Sequence, residues 1–210
     1  MNRAAELWPG RVAAAYAGAI GEDAVVDTDG FGPLSVDVPA DRWVEALLLA
    51  RDGLGCAFFD FLTAVDEWHP EPVEGVEDGF RVVCHVADHH SPGPGGVVHL
   101  IVRTLVPRDA AALPSVVDVY AGARWHERET HEMFGVDFTV DGEPLALEKL
   151  LLPEEFEGHP LRKEFVLASR VAKPWPGAKE PGESDHAPAG TTSRRRMKPP
   201  GVPDDWPRHG

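Results

Sequence analysis

Four histidines, His85, His89, His90 and His99, lie on or beside one predicted hairpin, and imidazole is a usual zinc ligand at about 2.0–2.1 Å. Their spacing matches no zinc pattern, and the Gly- and Pro-rich connection beside them would hold ligands poorly. A free-standing metal-dependent hydrolase using His85, His89 and His99 is the outlying alternative. His126 and His131 are five apart on a predicted helix, too rotated for joint ligation. Other chemistry lacks its parts. The chain contains no phosphate-binding loop and no dinucleotide fingerprint, and Gly93-Pro94-Gly95-Gly96 reads as a hairpin loop. The cysteines, Cys56 and Cys84, form no C-x-x-C pair, so they cannot supply the four thiolates of an ordinary iron–sulfur cluster. Both are expected to pack as small hydrophobes in strands. No catalytic, cofactor-binding or metal-binding residue is therefore expected on this chain.

Two short runs, Glu127–Gly135 and Glu157–Phe165, crowd charges between large apolar residues. In the first, Arg128 and Glu132 are four apart and able to pair, whereas Glu129 and Glu132 are three apart and repel. Trp125, Met133 and Phe134 anchor the same helix in apolar surroundings. In the second, Gly158 permits a tight turn, and Pro160 forces His159 into an extended conformation. Arg162 and Lys163 then project from a stiff hook able to clasp carboxylates. Leaving one member of a buried charge pair unmatched costs roughly 3–5 kcal/mol. Glu127, Arg128, Glu129, Glu132, His159, Arg162 and Lys163 thus form an expected partner interface, with charges completed by a second protein.

The elements that must position these groups are readable from periodicity. Residues 3–20 form an alanine-rich helix ending at Gly21. Ala24–Thr28 and Leu34–Val38 are short strands. Asp41 is placed to cap a helix over Arg42–Arg51, with Trp43, Ala46, Leu47 and Ala50 on one face. Cys56–Val65 reads as a buried strand, and Phe80–Val86 with Val97–Val106 as a hairpin. Ser115 is the expected N-cap of a new helical region, and Arg124–Phe134 is a helix stopped at Gly135. The order implies an α+β fold, a mostly antiparallel sheet with helices packed on one face. Residues 1–112 would form this domain, 113–169 the helix and hook, and 170–210 a long extended tail.

Net charge is −15, which argues against nucleic acid as partner. Residues 170–210 hold eight of the twenty prolines and carry +3, so the acidity belongs to the rest of the chain. Trp175 and Trp206 suggest that this tail docks on something. No signal peptide or membrane-spanning stretch is evident, so any membrane association is expected to run through another protein of a complex.

At the two runs the chain resembles the C-type subunit of NADH-quinone oxidoreductase, respiratory complex I. The matching residues are Glu127, Arg128, Glu129, Glu132, Met133, Phe134 and Gly135, then Leu152, Pro153, Glu154, Glu155, Phe156 and Glu157–Lys163. A weaker likeness covers roughly 40–168, including Thr63-Ala64-Val65-Asp66. Between the runs the family usually reads Gly-His-Pro followed by two arginines. This chain departs with Gly142-Glu143-Pro144 and Glu148-Lys149. The resemblance implies a non-catalytic scaffold in the peripheral arm, on the cytoplasmic face of the cell membrane. Its chief partner would be the D-type subunit near the quinone site, with iron–sulfur subunits as neighbours. It implies no cofactor on this chain, while the assembly would use NADH, FMN, iron–sulfur clusters and quinone. The same scaffold in a related membrane-bound hydrogenase-type complex is the alternative.

Overall fold

The structure, a computed structural model, describes residues 3–28, 32–71, 74, 78–90 and 97–166. The chain divides into two units, Met1–Leu167 and Ala168–Gly210. The expected tail belongs to the second, which lies outside the described residues.

Helix α1 spans Arg3–Ala19. Trp8, Val12, Tyr16 and Ile20 recur every four residues and are buried, the stripe that a core-facing helix requires. Gly21 follows with φ +91°. Strands β1 (Val25–Asp27) and β2 (Leu34–Asp37) pair antiparallel. The expected helix over 42–51 is broken into three pieces. A 3₁₀ turn, Ala40–Arg42, leads into α2 (Trp43–Leu48), which continues as a π-helical turn, Leu49–Gly53. Asp41 does not cap it. It lies within the 3₁₀ turn, whose entry is closed by the Arg42 amide donating to the Pro39 carbonyl at 3.0 Å. The apolar face is as predicted, since Trp43, Ala46, Leu47 and Ala50 are all fully buried.

Strands β3 (Phe58–Asp66), β4 (Phe80–Asp88) and β5 (Val98–Val106) complete a five-stranded sheet of order β1-β2-β5-β4-β3. β4 and β5 pair over nine positions, from Phe80 opposite Val106 to Asp88 opposite Val98. Only β2 and β5 run parallel, so the sheet is mostly antiparallel and the fold is α+β. β3 is an edge strand and not a buried one, and its residues alternate between covered and exposed. Antiparallel sheets commonly keep one face in water, and that alternation is its signature. Leu62, Phe80, Val82, Cys84, Val86, Leu100, Val102 and Val106 face the helices in one continuous core. Alternate positions carry an outward ion-pair cluster in which Asp37 binds Arg81 at 2.8 Å and also Arg103. Arg81 further binds Glu67 at 2.6 Å.

A second sheet is not legible in the sequence, because its strands are too short to show alternation. It joins β6 (Ala112–Pro114), β7 (Asp137–Val140) and β8 (Glu143–Pro144) in that order. Between β6 and β7 lies α3 (Ala123–Phe134). Ser115 is not a helix cap, because turns occupy the stretch before α3 and Ser115 Oγ accepts instead from the Val117 amide. Leu113, Val116, Phe134 and Phe138 share the core of the large sheet. Both cysteines are free and buried. Cys84 lies in β4 and Cys56 in the loop before β3, where burial pushes its thiol up to about 12.

Trp43 is fully buried, yet its indole N–H has no acceptor among the described residues. Trp43→Ala should cost about 3–5 kcal/mol in urea unfolding. Trp43→Phe should cost much less, because it also removes an unsatisfied buried donor.

Candidate interaction site

α3 buries Ala123, Glu127, Thr130 and Phe134, so its core-facing stripe includes a glutamate. A buried carboxylate is tolerated only when hydrogen-bonded. Glu127 accepts from the Val116 amide at 2.7 Å and from Ser115 Oγ at 2.8 Å. Burial raises its pKa, and those two bonds only partly oppose the rise. Glu132, 4% exposed, accepts from the amides of Leu150, Leu151 and Leu152 at 3.2, 2.9 and 2.7 Å. Burial pushes this carboxyl up, but the three amides and Lys149 outweigh it and hold the pKa below the ordinary glutamate range.

The expected pairing of Arg128 with Glu132 does not form. Arg128 turns to the carbonyls of Glu148 and Lys149, both at 3.0 Å, and its guanidinium lies over Trp125. Each side chain finds backbone groups on the returning 148–152 segment. Those bonds win over one surface ion pair, which is worth only about 0.3–0.5 kcal/mol. Lys149 gathers the next turn by donating to the carbonyls of Pro153, Glu154 and Phe156.

The second run closes on the end of the same helix. The last four carbonyls of any helix lack internal partners. Here all four are satisfied. Gly135 N–H donates to His131 and His159 Nδ1 to Glu132, at 2.7 and 2.9 Å. Leu161 N–H donates to Met133 and Arg162 Nε to Phe134, at 3.1 and 2.6 Å. Arg162 thereby sets a cation at the negative end of the helix dipole, and it also lies over the Phe80 ring at 5.0 Å. Gly135 has φ +71°, and a Cβ there would fall onto the Arg162 guanidinium and the His159 imidazole. Burial lowers the His159 pKa and nearby Arg162 adds to this, although the Glu132 carbonyl opposes it.

Lys163 leads the hook onto the sheet. Its amide reaches Asp66 Oδ2 at 2.8 Å, and its ammonium reaches the Trp68 carbonyl at 3.0 Å. Asp66, at the end of β3, also accepts from the Trp68 amide and pairs with Arg108, which binds Glu164 at 2.6 Å. Burial raises the Asp66 carboxyl, but the Lys163 and Trp68 amides and Arg108 together bring it below its usual range.

The structure therefore unites Glu132, His159 and Arg162 at one joint, with Lys163 beside it on Asp66. Glu127 and Arg128 lie farther up α3. Glu129 is exposed, with no side-chain partner among the described residues. Within the chain, Glu127 is engaged by the Val116 amide and the Ser115 hydroxyl, and Glu132 by three amides of the 150–152 segment. Asp66, Arg108, Ser115 and Lys149 belong to the site without having been expected there. Asp66 carried a signal as the end of the Thr63–Asp66 stretch, whereas Ser115 and Lys149 stood out only as a cap and as a departure from the family pattern, and Arg108 not at all. A cleft of about 370 Å³ beside α3 is lined by Arg124, Arg128, Asp118 and Glu148 together with Glu127, whose carboxylate oxygens are both engaged. Among the described residues, no group of three or more His, Cys, Asp or Glu is arranged to hold a metal ion. None of the described helices is long and apolar enough to cross a membrane.

Fold and joint together define an α+β domain whose charged motifs fix its own shape. The chain belongs to the 30 kDa subunit family of respiratory-chain NADH dehydrogenase, whose profile matches residues 36–171. It is 36% identical over 155 residues to the C-type subunit of the NADH-quinone oxidoreductase of Methylobacterium radiotolerans, covering 73% of this chain and 66%, just under two thirds, of that relative. With the corresponding protein of Roseiflexus castenholzii the identity is 35% over 153 residues, covering 70% and 78%. Among solved structures, a chain of the membrane-bound sulfane sulfur reductase, an archaeal respiratory membrane complex, aligns with TM-score 0.52 and 26% identity, covering 75% of this chain and 84% of that one. The trypsin-resistant fragment of Nqo5 aligns with TM-score 0.49 and 26% identity, covering 63% and 96%.

Two outcomes follow. Gly135→Ala should lose at least about 1–2 kcal/mol from left-handed strain alone. In an Arg162→Ala background the added penalty should shrink, because part of the clash is gone, and a double-mutant cycle by urea unfolding measures this coupling. The depressed pKa of Glu132 means that the folded state releases its proton more readily than the unfolded state does. Its stabilisation is present above the unfolded value, about 4.3, and is lost as pH falls through the lower folded value. Glu132→Gln should lower stability at pH 7 and flatten the acid limb of the stability–pH curve, read by thermal melts below about pH 5.

Proposed function

We propose that this chain is a non-catalytic scaffold subunit in the peripheral arm of a proton-translocating NADH:quinone oxidoreductase. In this reading it docks onto the D-type subunit near the quinone site and adjoins the iron–sulfur subunits. It sits on the cytoplasmic face of the membrane, held there by the complex. The assembly carries NADH, FMN, iron–sulfur clusters and quinone, and this chain carries none of them. One observation supports this most: apart from Glu129, the charged motif residues are engaged by groups of the chain itself, including Glu127 and Arg128 where they line the cleft beside α3. A general acid or base needs a free group with a pKa near the working pH. Glu132 and Asp66 are held low, and Glu127, although burial raises its pKa, has both carboxylate oxygens engaged by Val116 and Ser115.

Along α3 and the returning segment, Trp125, Leu151, Leu161 and Val166 are large apolar residues left exposed. They supply the apolar contact that a stable interface needs, with aromatic residues favoured at its centre. Glu129, Arg128 and Lys163 are the motif charges placed to meet a partner. Glu127, Glu132, His159 and Arg162 hold the surface in shape. A second reading is the same scaffold in a related membrane-bound complex of hydrogenase type; the likeness to a chain of the sulfane sulfur reductase supports a respiratory membrane complex of another kind.

Purification of the tagged chain from native membranes should bring flavin and iron–sulfur subunits with it. A large subunit with nickel-binding cysteines and no flavoprotein would favour the second reading. Leu161→Gln should reduce the chain retained in the complex on native gels, while the unfolding free energy of the isolated chain stays within about 0.5 kcal/mol. Normal assembly with lost turnover would indicate a direct catalytic role instead.

A further inference from the structure

The outer part of the large sheet carries a three-residue chain that the joint does not use. Asp60 lies at an irregularity of the β3–β4 ladder, where the register shifts between Phe59 and Phe61. Such a bulge re-aims a side chain. Asp60 Oδ2 sits 2.8 Å from His85 Nδ1. The other nitrogen of that ring, Nε2, lies 3.1 Å from Nδ1 of His99 on the neighbouring strand. The two ring planes differ by 8° and their centroids are 5.2 Å apart, so they meet edge to edge through these nitrogens. His85 is held against Phe61, with 11% of its side chain exposed, whereas His99 is open to solvent.

The protons follow from the chemistry of the groups. An ionised carboxylate only accepts, so Asp60 requires the proton of His85 on Nδ1 and leaves a lone pair on Nε2. Without a metal, His99 Nδ1–H donates to that lone pair; a metal ion that replaces this proton leaves His99 with its proton on Nε2 and turns both lone pairs toward one point. Two imidazole nitrogens at about 2.0–2.1 Å from one tetrahedral ion stand roughly 3.3 Å apart. The observed 3.1 Å differs by less than a small swing of the exposed His99 ring. A carboxylate behind a ligating imidazole fixes its orientation and tautomer and raises its basicity.

We propose that His85 Nε2 and His99 Nδ1 together ligate a divalent transition-metal ion of the zinc class, with Asp60 orienting His85 from behind. The described residues add no third protein ligand. Water completes the coordination, and the open positions can accept a carboxylate or imidazole from a docked protein. The ion would thus act as a clip on the sheet and not as a reaction centre. This inference stands apart from the assembly reading, since it concerns the isolated chain.

Titration of the purified, metal-free, full-length chain with Zn²⁺ by calorimetry tests it. One equivalent should bind in the micromolar range. His99→Ala should weaken binding at least tenfold, and Asp60→Asn by about 10–100-fold, with the circular dichroism melt of each variant confirming the fold. The double variant His89→Ala/His90→Ala should bind as the unaltered chain does. Undiminished binding by His99→Ala, loss of binding in the double variant, or no saturable binding up to millimolar Zn²⁺ would each overturn the proposal.

Discussion

The carboxyl end of α3 is the constraint on which the rest of the domain depends. Phe134 closes that end in the core, its ring 6.2 Å from that of Phe80 in a T-shaped contact, and the bonds to the helix's last carbonyls are partly buried. A buried acceptor left unsatisfied costs about 1–3 kcal/mol. The chain must therefore come back to the helix that it left. It does so with three different donors, an imidazole, an amide and a guanidinium, spread over His159–Arg162. Gly135 makes the approach possible by having no Cβ where the imidazole and guanidinium pass. The same turn of α3 also holds the loop on its way back. Glu132 offers its carbonyl to His159 and its carboxylate to three consecutive amides.

This joint is tied to the sheet through Phe80 and Asp66. The Arg108 and Arg162 guanidinium groups both lie over the Phe80 ring, at 4.7 and 5.0 Å. Asp66 gathers Arg108 and the Lys163 amide at the end of β3. Cations placed on an aromatic face and carboxylates filled by amides leave few charges for a partner to desolvate. That matters because removing an uncompensated charge from water costs several kcal/mol. A surface whose charges are already matched also loses less conformational freedom on docking.

The regular part of the fold was legible from local pattern. The alanine-rich run of α1 closing at Gly21, the β-branched runs of β4 and β5, and Gly135 as the stop of α3 each express a propensity or a cap within a few residues. The irregular part was not. Asp41 has the side chain of a cap, but the chain enters through a 3₁₀ turn that closes on Pro39. The β6 and β7 strands, three and four residues long, are set by pairing across α3 and show no alternation of their own. The motif charges were recognisable as special, but their direction was not. Spacing along α3 suggested pairs on its surface, whereas the partners that prevail are backbone groups about twenty residues onward. Lys149 and Arg108 have partners that no local rule singles out, carbonyls at the end of a loop for one and a carboxylate on another strand for the other.

The inward direction of these charges alters what the interface requires. Had Glu127 and Glu132 been left for a second protein, the free domain would have carried buried, unmatched carboxylates and little reason to fold before assembly. Filled by Val116, Ser115 and the 150–152 amides, they let the domain form first and present exposed apolar residues and a few solvated charges afterward. In the proposed assembly, docking would join a finished shape, with affinity resting on Trp125, Leu151, Leu161 and Val166 and with Glu129 and Lys163 biasing orientation at the rim. The proposed scaffold role would use that division of labour, with charge holding the fold and apolar surface holding the neighbour.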